Sequence, residues 1–304
     1  MRTPILSVGA AAAIGAMLLT AGCGSGSSGN SLSSGPSKSV ASQAKSTTLH
    51  DMLPAAIKSS GVVKVASDAS YPPVESLDNS NNIVGIDPDL GHAIGQVLGV
   101  KFQFTNTGFD GIIPALQAGR FDIAMSAMTD NPQREKQVDF VDYFSAGTGM
   151  MVRHGNPKNI KALSDLCGTT GAVEKGTIQV DQLNAQSHKC TSSGKKAINV
   201  TTFPDQNGAN LALQTGRADA VLGDFPVITY AAEQSHGNFQ ALDLNYNTAP
   251  YGVAVPKKDT QLRDAIQKAL QQLLKNGTYV QILGKWGVKS GALTKITVNA
   301  GGKG

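Results

Sequence analysis

The chain has 304 residues, of which 40% are hydrophobic and 16% are charged, and its formal net charge is +4. This small charge argues against a protein that binds nucleic acid by neutralising phosphates, and the apolar content argues against general disorder. The length is typical of two domains of ordinary size. The three cysteines are an odd number, which needs an explanation if the protein is exported.

The first 22 residues resemble a signal peptide. Arg2 precedes an uncharged, largely apolar run at 5–19, which is too short to span a bilayer. The run ends in the segment 19–23 (LTAGC), which resembles a bacterial lipobox, although Thr20 stands where Leu is commoner. This resemblance implies cleavage before Cys23 and a diacylglycerol on its sulfur. The alternative is ordinary secretory cleavage that leaves Cys23 unmodified.

Residues 23–49 are rich in Ser and Gly. Such a composition cannot bury a core, so we predict a flexible tether between the lipidated cysteine and the folded body.

From residue 61 onwards, β-branched runs alternate with segments whose apolar residues have helical spacing. We predict strands at 62–66, 100–104, 121–125, 169–173, 198–202 and 218–222, and helices at 88–98, 109–117, 177–186, 206–215, 225–234 and 260–275. This alternation predicts an α/β fold in which open sheets are covered by helices.

Two segments of the chain echo each other. Residues 116–122 (LQAGRFD) and 213–219 (LQTGRAD) agree at five of seven positions, and each combines a helix end, a glycine cap and the start of a strand. The echo predicts two lobes of similar build. Ligands of open α/β sheets bind beyond the carboxyl ends of strands, which points to 127–129 in one lobe and Asp224 in the other.

Cys167 and Cys190 remain once Cys23 is assigned to a lipid. Export implies an oxidising compartment, so we predict a disulfide between them, with two free buried thiols as the alternative. The five histidines have no ligand spacing with each other or with the cysteines, and we expect no metal site.

Several short motifs between residues 60 and 288 agree with one pattern. They are 85–90 (GIDPDL) with Ile94, Gly95 and Leu98 after it, 68–75 (DASYPPVE), 109–110 (FD), 126–129 (SAMT) with Arg134, 138–140 (VDF), 175–177 (KGT) and 222–224 (LGD). Together they resemble the bacterial extracellular solute-binding proteins, family 3, which are the polar amino acid receptors of ABC importers. Pro88 departs from the aliphatic residue that is usual there.

The resemblance implies a periplasmic-binding-protein fold of the type II kind, with two lobes joined by a double crossover near 145–148 and 248–251. Lobe 1 would comprise 50–146 and 252–288, and lobe 2 would comprise 147–251. Residues 289–304 would be a loose polar tail.

The resemblance also implies a function. We expect a monomeric, extracytoplasmic receptor without catalytic activity or cofactor, anchored to the outer face of the cell membrane through Cys23. It would bind a free polar amino acid by hinge closure and deliver it to the permease of an ABC importer.

The family motifs place the amino acid backbone between two sets of contacts. Arg134 would grip the carboxylate with its forked guanidinium, helped by Thr129 and by the N–H groups of Thr177 and Ile178 at a helix start. The carbonyl of Ala127 and the carboxylate of Asp224 would hold the ammonium. Without the motifs, Arg134 would be a solvated helix residue and Asp224 a helix N-cap.

Other matched positions would surround the ligand side chain. Tyr71 and Phe109 would sandwich it, with plain core packing as their alternative, and Asp68 would meet a polar or cationic end. Ser126 is a further candidate for the same pocket, and Glu75 and Glu174 either line it or face solvent. Acidic lining would favour Lys, Arg, His or Gln over acidic ligands.

Two other functions remain open at this point. One is a surface lipoprotein that senses a ligand without feeding a transporter. The other is a periplasmic dehydratase of the same fold, with Glu174 as its general base.

Overall fold

The computed structural model describes residues 41–302. The predicted signal peptide, the lipidation site Cys23 and most of the tether lie outside these residues. Within them, the strands are β1 (Val62–Ser67), β2 (Ser70–Tyr71), β3 (Glu75–Leu77), β4 (Ile83–Val84), β5 (Lys101–Asn106), β6 (Ile123–Ala124), β7 (Val138–Arg153), β8 (Thr170–Glu174), β9 (Asn199–Phe203), β10 (Ala220–Asp224), β11 (Phe239–Ala241) and β12 (Tyr246–Pro256).

Most helices follow a strand and cover the sheet. They are α1 (Thr47–Asp51), α2 (Ala55–Ser60), α3 (Ile86–Leu98), α4 (Ile112–Gln117), α5 (Pro132–Glu135), α6 (Ile178–Ser192), α7 (Gln206–Gln214), α8 (Phe225–Gln234), α9 (Thr260–Lys275) and α10 (Thr278–Lys285), with short 3₁₀ turns at Phe109–Gly111, Leu163–Leu166 and Lys289–Gly291. None of the helices in the described part of the chain is both long enough and apolar enough to cross a bilayer.

One nine-stranded sheet runs through the molecule in the order β5-β1-β6-β12-β7-β10-β8-β9, with β11 paired to β7. On one side, β1 pairs in parallel with β5 and β6; on the other, β8 pairs in parallel with β9 and β10. The long strands β7 and β12 pair antiparallel at the centre. Crossover connections through helices join the parallel strands of each flank. Both flanks therefore combine parallel strands with the antiparallel central pair.

Buried apolar side chains form separate clusters on the two flanks. The clusters around β1 and α3 are built mainly from residues before 147 and after 250, and those around β8 and β10 mainly from residues between them. We call these halves lobe 1 and lobe 2. The strands β7 and β12 pass between them side by side, with Ser145 opposite Pro250 and irregular register on both sides of that contact.

The sequence echo is a structural repeat. Gly119 and Gly216 both adopt the left-handed conformation, with φ of 69° and 75°, which glycine allows without steric cost. Asp122 and Asp219 then accept a backbone N–H from the neighbouring strand, Lys64 at 2.7 Å and Thr170 at 3.0 Å. The two copies therefore begin β6 and β10 in the same way and aim their carboxyl ends at the same region.

The predicted disulfide is confirmed. Cys167 and Cys190 are bonded, with their Cα atoms 5.6 Å apart. The bond ties the segment before β8 to the last turn of α6, which extends to Ser192 rather than ending at 186.

The two segments that the sequence predicted to be loose, the end of the tether and the C-terminal tail, are both ordered in the structure. The tether was expected to reach residue 49, but Ser46 caps α1 and donates its N–H to the carbonyl of Val97 at 2.8 Å. The C-terminal tail was expected to be loose, but Ile296 is buried and Val298 forms a β-bridge with Val141. Each segment contains apolar residues that pack on lobe 1. The polar average composition of these segments gave no sign of this packing.

Candidate functional site

A narrow cavity lies where the carboxyl ends of β1, β6, β8 and β10 meet. Every residue that the sequence predicted to touch the ligand lines this cavity, and Gln179 lines it as well. The lining residues are Asp68, Tyr71, Glu75, Phe109, Ser126, Ala127, Thr129, Arg134, Glu174, Thr177, Ile178, Gln179 and Asp224. The two lobes supply them in comparable numbers.

Arg134 enters the cavity from α5. Asn131 caps this helix by accepting the N–H of Arg134 at 2.9 Å, and Pro132 suits the first helical position. The guanidinium donates to the carbonyl of Thr129 at 2.8 Å and, across the cleft, to the carbonyl of Gly176 at 3.1 Å. It lies over the ring of Phe109, 5.3 Å from its centre. Burial lowers the pKa of Arg134 to about 10, so the side chain stays cationic at neutral pH.

Several direct contacts join the lobes around the cavity. The N–H of Asp224 donates to the hydroxyl of Tyr71 at 2.9 Å, and Lys175 forms an ion pair with Asp110 at 2.7 Å. Gly176 adopts a positive φ of 83° and a Cβ there would press on the Cα of Asp110. The cleft between the lobes is therefore closed over the cavity.

Asp224 ends β10 and is the N-cap residue of α8, but its side chain does not cap that helix. It instead accepts a hydrogen bond from Gln179 at 2.8 Å, and Gln179 also donates to Thr148 at 3.1 Å. Burial raises the pKa of Asp224 to about 6, although Tyr251, Gln179, Tyr71 and Arg134 counteract this effect. Its carboxylate is therefore ionised at neutral pH.

Asp68 and Glu174 face each other across the cleft, one from each lobe. Asp68 accepts backbone N–H groups from Ser70 at 3.1 Å and Phe109 at 2.9 Å, whereas Oε1 of Glu174 has no hydrogen-bond partner. Burial, followed by the nearby charge of Asp68, raises the pKa of Glu174 to about 9. Ionisation of both carboxyl groups in contact would cost much free energy because their charges repel, so the pair shares a proton.

A second acid pair lies at the back of the cavity. Glu75 accepts from the hydroxyl of Ser126 at 3.3 Å and contacts Asp87, and burial raises the pKa of both carboxyl groups. Asp87 also accepts the N–H of Ala127 at 3.2 Å. Ala127 has a left-handed φ of 45°, which is strained for a residue with a Cβ. The buried carboxylate therefore holds the backbone that turns the end of β6 into the cavity.

The helix α6 starts at the cavity wall. Thr177 is its N-cap and Ile178 its first residue. The first N–H groups of a helix have no partner within the helix and carry a partial positive charge. Over fifteen residues, α6 therefore offers an anion-binding end beside Arg134.

The charges in the cavity are unbalanced. With one proton in each acid pair, a negative charge remains on Asp68–Glu174, another on Glu75–Asp87 and a third on Asp224. Among the described residues that line the cavity, Arg134 alone carries a basic side chain. A buried excess of negative charge is unfavourable unless a cation compensates it. No group of three or more His, Cys, Asp or Glu within residues 41–302 is placed to hold a metal ion.

Residues 63–289 match the family model for bacterial extracellular solute-binding proteins, family 3. The chain belongs to this family. It is 33% identical to the arginine-binding protein ArgT of Corynebacterium glutamicum over 82% of this chain and 81% of that protein.

Solved structures agree with the fold. An ancestral arginine-binding protein bound to arginine has a TM-score of 0.69 and 36% identity, covering 75% of this chain and 98% of that one. An ancestral amino acid-binding protein described as a precursor of cyclohexadienyl dehydratase has a TM-score of 0.69 and 35% identity, covering 79% and 99%. The two-lobed α/β architecture is therefore confirmed.

Sequence reasoning missed two polar residues of the site. Gln179 follows the matched segment that ends at Thr177, and its position in the first turn of α6 was the available signal. Asp87 is part of the matched segment 85–90, but only the fold shows that its carboxylate supports Ala127 and contacts Glu75.

Proposed function

We propose that the protein binds a free cationic amino acid, arginine first among them, and delivers it to an ABC importer. The observation that carries this proposal is the excess of carboxyl groups over cations in a closed cavity. An arginine ligand carries two positive charges and one negative charge, so it adds the cation that the cavity lacks. The names of ArgT and of the ancestral structure support the same ligand.

The ligand would lie with its carboxylate at Arg134 and the start of α6. Its ammonium would meet Asp224 and the carbonyl of Ala127, and its guanidinium would reach the pair Asp68–Glu174. Tyr71 and Phe109 would flank the aliphatic part. This orientation pairs each ligand charge with an opposite charge of the cavity.

We further propose hinge closure as the mechanism. The contacts come from both lobes, so a ligand would bind the closed form better than the open form and shift the population towards it. The central segments at 145–148 and 248–251 would form the hinge. The closed form would then dock on the membrane permease, and ATP hydrolysis elsewhere would drive import.

The dehydratase alternative is supported by the enzyme precursor among the structural relatives and by Glu174, whose raised pKa would suit a general acid. A dicarboxylate substrate needs more than one cation, and four carboxyl groups line the cavity against one guanidinium. Binding without turnover therefore fits the charges better. Incubation with a prephenate-like acid should give no product; measurable turnover would favour the enzyme.

A thermal-shift panel of the twenty amino acids tests the proposed ligand class. Arginine and lysine should stabilise the protein most, glutamine less, and glutamate and aspartate not at all. If no amino acid stabilises the protein, the proposal fails.

The Asp68→Asn variant sharpens this test. It should narrow the preference for arginine over glutamine, because it removes a charge from the end that meets the ligand side chain. Asp51→Asn, at an exposed position, is the control and should leave the ranking unchanged.

We also propose that the mature protein is a monomer anchored by a lipid on Cys23. Mass spectrometry of the intact membrane-extracted chain should show the mass of a diacylglycerol group on a chain that begins at Cys23. An unmodified cysteine there would show ordinary secretion instead.

A further inference from the structure

The C-terminal segment 296–301, which we call the strap, lies beyond residue 289, where the match to the family model ends. It is nevertheless an ordered part of lobe 1. Ile296 is 1% exposed. The backbone of the strap bonds to β7 twice, through the carbonyl of Thr297 with Asp142 at 3.0 Å and the N–H of Asn299 with Phe140 at 3.1 Å.

The strap supplies hydrogen-bond donors to two buried carboxyl groups. Thr297 Oγ1 and the N–H of Ala300 donate to Oδ2 of Asp142, at 2.7 and 3.3 Å. The N–H of Gly301 donates to Oδ2 of Asp130 at 2.8 Å. Both carboxyl groups are fully buried, so loss of these donors would leave carboxyl oxygens without a hydrogen-bond partner.

Asp130 connects the strap to the cavity. It follows Thr129, which lines the cavity, and precedes Asn131, whose side chain caps the helix of Arg134. Its own N–H donates to the carbonyl of Pro250 at 2.8 Å. Gly301 lies so close that a Cβ there would overlap with the carbonyl group of Asp130. The strap therefore presses directly on the loop that carries Thr129 and Arg134.

The carboxyl groups around Asp130 make the contact between the strap and this loop depend on the hydrogen-bond donors of the strap. Asp130 contacts the carboxyl groups of Asp142 and Glu135, and each of the three has one oxygen without a partner. Burial raises the pKa of Asp130 to about 8. The nearby cation is Arg134. A cluster with more acceptors than donors holds its geometry only while the donors of the strap remain in place.

We propose that the strap is a positioning element for the ligand carboxylate, which acts through Asp130 to fix Thr129 and Arg134. This role rests on the proposed function, because it concerns the end of the cavity that would hold the carboxylate. Asp130 is accordingly a positioning residue that does not touch the ligand.

A carboxylate-specific loss of affinity tests the strap. The variant that ends at Asn299 lacks the N–H donors of Ala300 and Gly301, and the variant that ends at Gly302 keeps them and serves as the control. Calorimetric titration with arginine and with agmatine, which lacks the carboxylate, should show about a tenfold weaker arginine affinity in the first variant. Its agmatine affinity should change by less than about twofold, and the control should match the full chain.

A point variant guards against general loss of structure. Gly301→Ala keeps the chain length but pushes the strap away from Asp130, whereas a Cβ at Gly302 would meet the side chain of Pro132 at a longer 3.1 Å. Gly301→Ala should reproduce the selective loss, and Gly302→Ala should not. An equal loss for both ligands, or no loss for either, overturns the strap proposal. Failure of the full chain to bind arginine is a different result, which would overturn the proposed function.

Discussion

At the scale of single residues, the cavity is defined by buried ionisable groups that lack some of their hydrogen-bond partners. Arg134 makes two hydrogen bonds to backbone carbonyls, which leave part of its five-donor guanidinium available. Glu174 has an oxygen without a partner, although it is almost fully buried. Side chains that serve only stability are normally satisfied when buried. These two residues are therefore the sharpest targets for variants.

Arg134→Ala should weaken arginine binding by more than about a hundredfold, because a buried bidentate contact to a carboxylate contributes about 3 kcal/mol or more. Isothermal titration calorimetry measures the effect. Arg120→Ala, at an exposed position, is the control and should bind normally. Near-normal affinity of the Arg134 variant would show that another group holds the carboxylate.

Arginine affinity should rise with pH between about 6 and about 9. Burial raises the pKa of Asp224 to about 6 and that of Glu174 to about 9, and a cationic ligand favours the ionised forms. Binding at neutral pH should therefore release a proton, which calorimetry in buffers of different ionisation enthalpy detects. Glu174→Gln should remove the rise at the alkaline end; an unchanged profile would contradict the role of this carboxyl group.

Stability of the ligand-free protein should change in the opposite direction. A carboxyl group with a raised pKa binds more protons in the folded than in the unfolded state, so its contribution falls as pH rises towards the folded pKa. Because arginine affinity is expected to rise over the same pH range, the thermal shift caused by arginine should grow with pH.

At the scale of elements, the strand ends and helix starts do the positioning. The carboxyl ends of β6 and β10 arrive in equivalent places because the segments before them repeat, and α6 starts beside them. The disulfide lies at the far end of α6, away from the cavity. We therefore expect the disulfide to stabilise lobe 2 and not to contact the ligand.

The double variant Cys167→Ser and Cys190→Ser should lower the free energy of unfolding by about 3 kcal/mol, the value expected for a loop of this size. Urea denaturation measures it. Arginine affinity of the folded variant should stay within about twofold of the original. A large loss of affinity without a loss of stability would mean that the bond shapes the cavity.

At the scale of the whole molecule, two separate cores share one sheet through the strand pair β7 and β12. In the proposed hinge closure, this arrangement would let the lobes rotate while each core stays intact. Gly147 lies in that pair, and a Cβ there would collide with Asn245 and Tyr246, where β12 begins. The glycine therefore permits the close approach of β7 and β12 at the junction of the lobes.

Gly147→Ala should therefore disturb the strand pair at the proposed hinge. We expect arginine affinity to fall by about tenfold, because a collision of about 1–2 kcal/mol would displace the segments that orient the two lobes for binding. Small-angle X-ray scattering should show a smaller radius of gyration on arginine binding for the original protein and a weaker change for the variant at the same ligand concentration. Identical scattering with and without ligand in the original protein would contradict hinge closure.

The sequence by itself determined the alternation of strands and helices, the repeated lobes, the disulfide and the residues that line one cavity. The alternation and the repeat follow from local periodicity and from glycine and aspartate at fixed positions. The disulfide follows from the two cysteines that remain in an exported chain, and the cavity residues follow from motifs that resemble those of the family. The helices at 225–234 and 260–275 were predicted at their observed bounds because the apolar spacing that marks them is local.

Only the tertiary structure decided which charges are buried against one another. Asp68 meets Glu174, Glu75 meets Asp87, and Asp130 meets the strap across long stretches of chain. A carboxyl group far along the sequence gives no local sign that it will share a proton with another. The order of the strap was hidden for the same reason: its few apolar and hydrogen-bonding residues acquire their partners only when β7 is in place.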